Sequence, residues 1–169
     1  MSLSIRDARA DERAAIQAVT LAAYEEYAAV ISRPFWEAYR RQILATLDEE
    51  GSAERIAAER EGTIVGSVLL YPASANAYTA GEVRASCPEV RLLAVVPAMR
   101  GQGVASALMD ECEQRARRAG ATQLGLHTTD IMQAAMRLYE RRGFIRVPEL
   151  DFQPAVGILV KGYRLSLGA

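Results

Sequence analysis

The stretch that decides the fold runs from Arg91 to Gly120 and reads RLLAVVPAMRGQGVASALMDECEQRARRAG. A short apolar run ends at a proline, two glycines one residue apart follow, and a helical spacing of apolar residues then begins. The residues on one stripe of that helix are Val104, Leu108, Cys112, Ala116 and Ala119. A Gly-rich loop before a helix can bind an anion, because the first helical turn presents unpaired N–H groups and the positive end of the helix dipole.

Three phosphate-binding patterns compete for this loop, and a tight turn that needs glycine only for its shape is a fourth explanation. A Walker A loop requires a Gly-Lys-Ser/Thr sequence, and no lysine is present here. A dinucleotide fingerprint would have Ser106 in its third glycine place, and it expects an acid where the next strand ends in His127. The third pattern, Q/R-x-x-G-x-G/A, is filled by Arg100, Gly103 and Ala105.

Composition narrows the class of protein. The chain has 169 residues, half of them apolar, which suits one domain over residues 1–169 with a sizeable core. The net charge of −1 and the absence of a long apolar run predict neither nucleic-acid nor membrane binding. Only Cys87 and Cys112 are available, and no secretion signal is evident, so we predict a reduced cytoplasmic protein without a disulfide framework.

The rest of the chain alternates strands and helices. Period-two and apolar runs predict strands at residues 3–9, 54–60, 63–71, 89–96, 122–128, 144–147 and 157–167. Helical spacing predicts helices at residues 11–30, 34–47, 102–120 and 130–142. We expect Asp11 to cap the first helix, and Asp130 with Gln133 to form a capping box at the last. The order β-α-α-β-β-β-α-β-α-β-β predicts a mixed α/β fold.

Two further segments extend the pattern. Residues 134–144 read AAMRLYERRGF and residues 62–70 read GTIVGSVLL. With EVRLLAVVPAMRGQGVASAL at residues 89–108, they resemble the GNAT N-acetyltransferase superfamily over roughly residues 3–167. This resemblance implies an α/β fold whose mixed sheet has helices on both faces and splays between its fourth and fifth strands. It also implies acetyl-CoA as donor and an amine as acceptor, with no metal.

The resemblance also assigns cofactor contacts. The backbone of Leu93, Ala94 and Val95 would pair with the pantetheine arm, as an added strand does. The pyrophosphate would be held by the amides of Arg100, Gly101, Gln102, Gly103, Val104 and Ala105. Many relatives carry an asparagine where this chain has Met132, so another group makes that cofactor contact or the contact is absent. Arg141 and Arg142 could reach the CoA phosphates or form a solvated helix end.

Acetyl transfer to an amine needs an acceptor for the amine proton and a donor to the leaving thiolate. By resemblance, Tyr139 would protonate the CoA sulfur, although its ring could instead pack between helix and sheet. Glu89 matches a position where many relatives carry a general base, often acting through water; a solvated carboxylate is the alternative. His127, the sole histidine, is a second candidate base or a structural residue. Thr128 and Thr129 could cap the following helix or bind ligand.

Acceptor choice in this family comes mostly from segments that correspond to residues 24–50, 72–88 and 147–157. Aromatic and acidic side chains there could receive a cationic amine, or could simply pack and be solvated: Tyr24, Tyr27, Phe35, Trp36, Tyr39, Glu149 and Asp151. We therefore predict an N-acetyltransferase for a small-molecule primary amine. Because homodimers are common in the family, the resemblance also makes a homodimer possible. The alternatives are a non-catalytic acyl-CoA-binding or regulatory module, and a protein N-terminal or lysine acetyltransferase.

Overall fold

The computed structural model describes residues 2–73, 86–155 and 157–168. The chain forms two compact units, each assembled from two stretches of sequence. The first unit comprises Met1–Leu69 and Leu92–Glu111, and the second comprises Leu70–Arg91 and Cys112–Ala169.

A β-hairpin organises the first unit. Strand β1 (Leu3–Asp7) pairs antiparallel with β2 (Glu54–Arg60), and β2 continues through a two-residue turn into β3 (Thr63–Tyr71). The turn residues Glu61 and Gly62 both have left-handed backbone angles, with φ of 53° and 78°. A type I′ hairpin turn requires positive φ at both central positions, so the predicted hairpin is confirmed.

The first two helices of the chain differ from the prediction in their bounds. Helix α2 (Arg33–Asp48) begins one residue before the predicted start, but the single helix expected at 11–30 is wrong. Helix α1 spans only Arg13–Tyr24, and 3-10 turns flank it at Ala10–Glu12 and Glu25–Ala29.

Contacts made by side chains account for the ends of α1. Asp11 does not cap the helix; the Glu12 carboxylate instead accepts a 2.7 Å hydrogen bond from the Arg9 N–H. At the other end, the Arg100 guanidinium donates to the Ala23 carbonyl at 2.9 Å, within the last turn. Because no glycine or proline stands near this end, the apolar spacing alone could not predict where the helix stops.

A close approach joins the remaining elements of the first unit. Strand β4 (Glu89–Val95) and helix α3 (Val104–Arg118) flank the Gly-rich loop, and the first unit includes β4 from Leu92 onward and α3 as far as Glu111. A Cβ atom placed on Gly66 in β3 would lie 2.9 Å from the Ala94 carbonyl oxygen and 2.9 Å from Val104 Cγ1. Glycine at this position therefore lets β3 lie against the elements on both sides of the loop.

The second unit contains most of the remaining strands. They are β5 (Gln123–Thr128), β6 (Ile145–Arg146), β7 (Phe152–Ala155) and β8 (Ile158–Ser166). Strand β8 is central among them, since β5, β6 and β7 all pair with it antiparallel.

Strands β4 and β5 form the parallel part of the sheet. Glu89 is opposite Gly125 and Val90 is opposite Leu126. The combination of this parallel pair with antiparallel neighbours confirms the predicted mixed sheet. The expected opening between these two strands stays a prediction.

Helix α4 (Gln133–Arg141) begins without the predicted capping box. Its N-cap position is Met132, and no side chain caps it. The Asp130 carboxylate instead contacts Lys161 Nζ at 2.5 Å, while Gln133 donates to the Asp130 carbonyl. The ion pair with a residue 31 positions away removes Asp130 from the capping role.

Strand β7 is a difference from the prediction, because no strand is expected between those at 144–147 and 157–167. This segment contains a 3-10 turn at Pro148–Leu150 and then β7, which pairs only with β8 in the described sheet. Pro154 cannot donate to a strand ladder, and a proline in a short run argues against a strand unless the strand lies at an edge. The edge position of β7 is what accommodates it.

Among the described helices, none has the length and apolar character needed to cross a bilayer.

Candidate active site

Two glycines shape the loop before α3. Gly101 and Gly103 have φ of 75° and 81°, which side chains rarely tolerate. Ala107 donates the first helical hydrogen bond, to the Gly103 carbonyl at 3.0 Å. Among the described residues, the N–H groups of Gly101–Ala105 donate to no backbone acceptor. A run of available amides at a helix N-terminus is suited to binding phosphate oxygens.

Arg100 anchors this loop. Its guanidinium binds the Glu26 carboxylate at 2.7 Å and the Ala23 carbonyl at 2.9 Å. Its own N–H donates to the Pro97 carbonyl at 3.3 Å. The arginine of the motif thus ties the loop to the end of α1, and its N–H is already used.

Gln102 provides a second anchor, which sequence analysis missed. Its Oε1 accepts a 2.7 Å hydrogen bond from Arg60 at the end of β2. The two residues are 42 positions apart, and no local pattern links them.

The strand before the loop has an irregular backbone. Leu92 is buried and has φ of 54°, an unusual conformation for a non-glycine residue within a strand. Backbone strain of this kind tends to occur at functional sites. The next residue, Leu93, accepts a 3.3 Å hydrogen bond at its carbonyl from the Tyr24 hydroxyl. The irregularity directly precedes Leu93–Val95, the segment expected to pair with pantetheine.

The five aromatic residues considered for the acceptor form one cluster in the first unit. Tyr24 packs edge-on against Tyr27 and Tyr39, with ring centroids 5.7 and 6.1 Å apart. Trp36 and Phe35 lie 6.3 and 6.4 Å from Tyr39. The five side chains therefore pack on one another, as one of the two alternatives expected, and their contact with an amine stays a prediction.

In the second unit, Glu89 is buried, so its interpretation as a solvated carboxylate is wrong. The residue is 1% exposed, and its Oε1 accepts a 2.8 Å hydrogen bond from Arg164 Nη1. Arg164 is itself only 7% exposed. A buried carboxylate needs a partner of this kind to stay ionised. Sequence analysis missed Arg164, which lies 75 positions away on β8.

His127 lies beside this ion pair. Its Nδ1 is 3.5 Å from Glu89 Oε2, and its Nε2 is 3.0 Å from the Leu150 carbonyl oxygen. Because a carbonyl oxygen only accepts, Nε2 carries a hydrogen in this arrangement. The ring also packs against Phe152 at 5.4 Å. The two candidate bases predicted from the sequence are therefore neighbours.

Cys87 lies near Arg164 and Glu89. Burial raises the pKa of the Cys87 thiol to about 11, with Arg164 lowering it and Glu89 raising it by smaller amounts. The thiol is protonated at neutral pH, so Cys87 supplies no thiolate nucleophile.

Tyr139 is enclosed. It is buried in α4, with its ring 5.8 Å from that of Phe144 in an edge-on arrangement.

The interpretation of Thr128 and Thr129 as caps is wrong, because neither hydroxyl caps α4. The Thr128 hydroxyl instead contacts Met132 Sδ at 3.7 Å.

The two carboxylates of the segment 147–157, Glu149 and Asp151, have different surroundings. Two Asp151 oxygens each accept a 2.8 Å hydrogen bond from Arg146, and the Gly162 N–H donates to the same carboxylate. The Arg146 bonds hold the pKa of Asp151 below its usual value. Glu149 is exposed, so of the two it is the one available to a cationic ligand.

The expected CoA phosphate contacts of Arg141 and Arg142, and the acceptor segment 72–88, stay predictions. Arg142 binds the Glu113 carboxylate at 2.9 Å, and Arg141 is exposed. Within the candidate acceptor loop 72–88, residues 74–85 lie outside the described residues.

The Acetyltransferase (GNAT) family model matches residues 16–144. The chain belongs to the GNAT acetyltransferase family. The predicted resemblance is confirmed, and the Walker and dinucleotide patterns are set aside. The GNAT chain is 41% identical over 61 residues to an acetyltransferase of Agrobacterium fabrum, a match that covers 36% of this chain and 43% of that protein.

A second relative of this GNAT chain is the aminoalkylphosphonate N-acetyltransferase of Salmonella typhimurium, 32% identical over 109 residues. That match covers 64% of this chain and 67% of the relative. The crystal structure of a GNAT family acetyltransferase from Brucella melitensis in complex with acetyl-CoA superposes with a TM-score of 0.63 at 23% identity. It covers 99% of this chain and 90% of that one, which confirms the predicted fold class.

Proposed function

We propose that this GNAT protein transfers the acetyl group of acetyl-CoA to the primary amine of a small molecule. The observation that carries the proposal is the run of amides at Gly101–Ala105, opened by two left-handed glycines. These amides would donate hydrogen bonds to the pyrophosphate, and the backbone of Leu93–Val95 would pair with the pantetheine arm.

In the proposed reaction, the amine nitrogen attacks the acetyl carbonyl carbon. A C–N bond forms, the C–S bond breaks, and the sulfur leaves as a thiolate. Glu89 and His127 together take up the proton that the amine loses, and Tyr139 donates one to the thiolate. Because the Glu89 and His127 side chains are 2% and 1% exposed, we infer that the proton reaches them through a relay.

The acceptor class is inferred from two observations. The aromatic cluster around Tyr39 offers ring faces that favour a cationic amine. The name of the Salmonella relative adds aminoalkylphosphonates to the candidate acceptors.

Thiol release from acetyl-CoA, measured against a panel of amines, tests this proposal. The panel contains aminoalkylphosphonates, simple alkyl amines, polyamines and peptides with free N-termini or lysines. Turnover of a small amine supports the proposal, and turnover of peptides alone indicates a protein acetyltransferase. Tight CoA binding without turnover of any amine would indicate a non-catalytic acyl-CoA-binding module.

The role of Tyr139 has its own test. We expect Tyr139→Phe to lower kcat by about 10²–10⁴-fold, since the hydroxyl is the proposed acid, while the Kd of CoA changes little. Steady-state kinetics and calorimetric CoA titration measure the two quantities. Unchanged turnover would remove the acid role. Phe144→Leu, which alters the ring packed on Tyr139, serves as a control for packing.

A further inference from the structure

Three residues form one row across three strands of the second unit. Gly125 on β5 is opposite Glu89 on β4 and also opposite Arg164 on β8. Side chains of directly paired residues lie on the same face of a sheet. The Glu89 and Arg164 side chains therefore meet over the middle strand, where they form the 2.8 Å contact.

Glycine at the centre of the row makes this contact possible. A Cβ atom on Gly125 would lie 2.1 Å from Arg164 Nη1 and 2.6 Å from Glu89 Oε1. Real Cβ atoms essentially never show contacts this short, so even alanine would push the ends of the two charged side chains apart.

A second glycine stands in the next row. His127 on β5 is opposite Gly162 on β8. A Cβ atom on Gly162 would lie 2.5 Å from Leu150 Cβ. This close approach accompanies the bond between His127 Nε2 and the Leu150 carbonyl. Two in-register glycines thus clear one face of the sheet for Glu89, Arg164 and His127.

We propose that Arg164 is a positioning residue that holds Glu89 ionised and directs its second oxygen toward His127, with Gly125 as the residue that permits the approach. The inference rests on the proposed function, in which Glu89 and His127 take up the amine proton. Arg164 itself touches neither substrate in this proposal.

Glu89 needs Arg164 beside it because burying an unpaired charge costs free energy. A carboxylate removed from water reverts to its neutral form unless a cation or hydrogen-bond donors stabilise it. A neutral carboxylic acid cannot accept the proton of the amine. Among the described residues, the Arg164 cation contacts Glu89, the His127 ring lies 3.5 Å from it, the protonated Cys87 thiol lies near it, and Asp151 lies near His127. Arg164 is thus the permanent cation among these groups.

The test is the pH dependence of kcat/KM in variants of this row. Arg164→Met removes the cation, and Gly125→Ala keeps both charges while blocking their approach. We expect the acidic limb of the profile to move to higher pH by about 1–3 units in both variants, with an unchanged KM for acetyl-CoA. Arg164→Lys, which keeps the charge, should restore most of the wild-type profile. An acidic limb that stays in place in both variants would overturn the proposal.

A matched control separates charge loss from general destabilisation. Arg6→Met removes a part-buried arginine that binds Glu12 and Glu59 in the first unit, outside the proposed machinery. It should lower stability and leave the acidic limb unchanged. If Arg164→Met does not fold, Gly125→Ala and Arg164→Lys carry the comparison.

A measurement without turnover distinguishes this inference from the proposed function. The side-chain carboxyl carbon of Glu89, assigned by its loss in Glu89→Gln, is followed by NMR during acid titration. It should titrate at higher pH in Gly125→Ala than in the wild type. Absence of amine turnover with this shift present would refute the proposed function alone, whereas an unshifted titration would refute the role of Arg164.

Discussion

Gly103 and Gly120 share one backbone conformation but differ in their surroundings. Their φ values are 81° and 84°, and a Cβ atom on either would meet nothing within 4 Å. Gly103 precedes α3 in the amide run, whereas Gly120 follows α3 and ends it. Comparing the same substitution at both positions therefore distinguishes the effect of backbone strain from the loss of the proposed ligand-binding amides.

We expect Gly103→Val to raise the Kd of CoA by about tenfold or more, equivalent to about 1.4 kcal/mol, because the new side chain fills the approach to the amides. Both Gly103→Val and Gly120→Val should lose about 1–3 kcal/mol of unfolding free energy, since both force a left-handed residue. Calorimetric titration and denaturant unfolding measure these effects. Retained affinity in Gly103→Val, or equal loss of affinity in both variants, would contradict the pyrophosphate assignment.

At the scale of elements, most helices and strands were predicted from periodicity and turn residues. The hairpin at β2–β3 follows from Glu61-Gly62, since its two-residue turn is a local property. The end of α1 and the existence of β7 were not predictable in this way. A hydrogen bond from Arg100, more than 70 positions away, lies at the end of α1, and β7 forms by pairing with β8.

The close approach at Gly66 yields a prediction about packing between elements. Gly66→Ala should lower the unfolding free energy by about 1–3 kcal/mol, because its Cβ would press on the Ala94 carbonyl and on Val104. Gly51→Ala is the matched control, since a Cβ there meets nothing within 4 Å. It should be neutral or stabilising by up to about 1 kcal/mol. Equal unfolding midpoints for both variants in urea would show that β3 can move away at no cost.

At the scale of the whole molecule, acid stability depends on carboxylates engaged by arginines. Hydrogen bonds from Arg6 and from the Arg9 N–H lower the pKa of Glu12 from 4.5 to about 2. Arg146 lowers the pKa of Asp151 as well. A lowered folded-state pKa contributes stability above the unfolded value, and that stability is lost as pH falls toward the folded value.

We therefore expect the unfolding free energy to decline as pH falls from about 4.5 to about 2. Glu12→Gln should be less stable than the wild type at pH 7, and the difference should shrink across this window. Urea unfolding at a series of pH values measures it. Glu50→Gln, at a largely exposed carboxylate that binds Arg13, should follow the wild-type profile. A constant difference between Glu12→Gln and the wild type at all pH values would contradict the assignment.

The Gly-rich loop and the resemblance to the GNAT family can be recognised in the sequence alone, and Glu89 and His127 can be named there as candidate bases. The loop follows from local spacing, because positive φ and strand or helix periodicity depend on neighbouring residues. The role of Glu89 is what the family resemblance implies. Only the tertiary structure decided that Glu89 is buried against Arg164, with Gly125 between them. The physical reason is strand pairing. Because β4 and β8 both pair with β5, Glu89 and Arg164 lie in one row although they are 75 positions apart, and both side chains are removed from water.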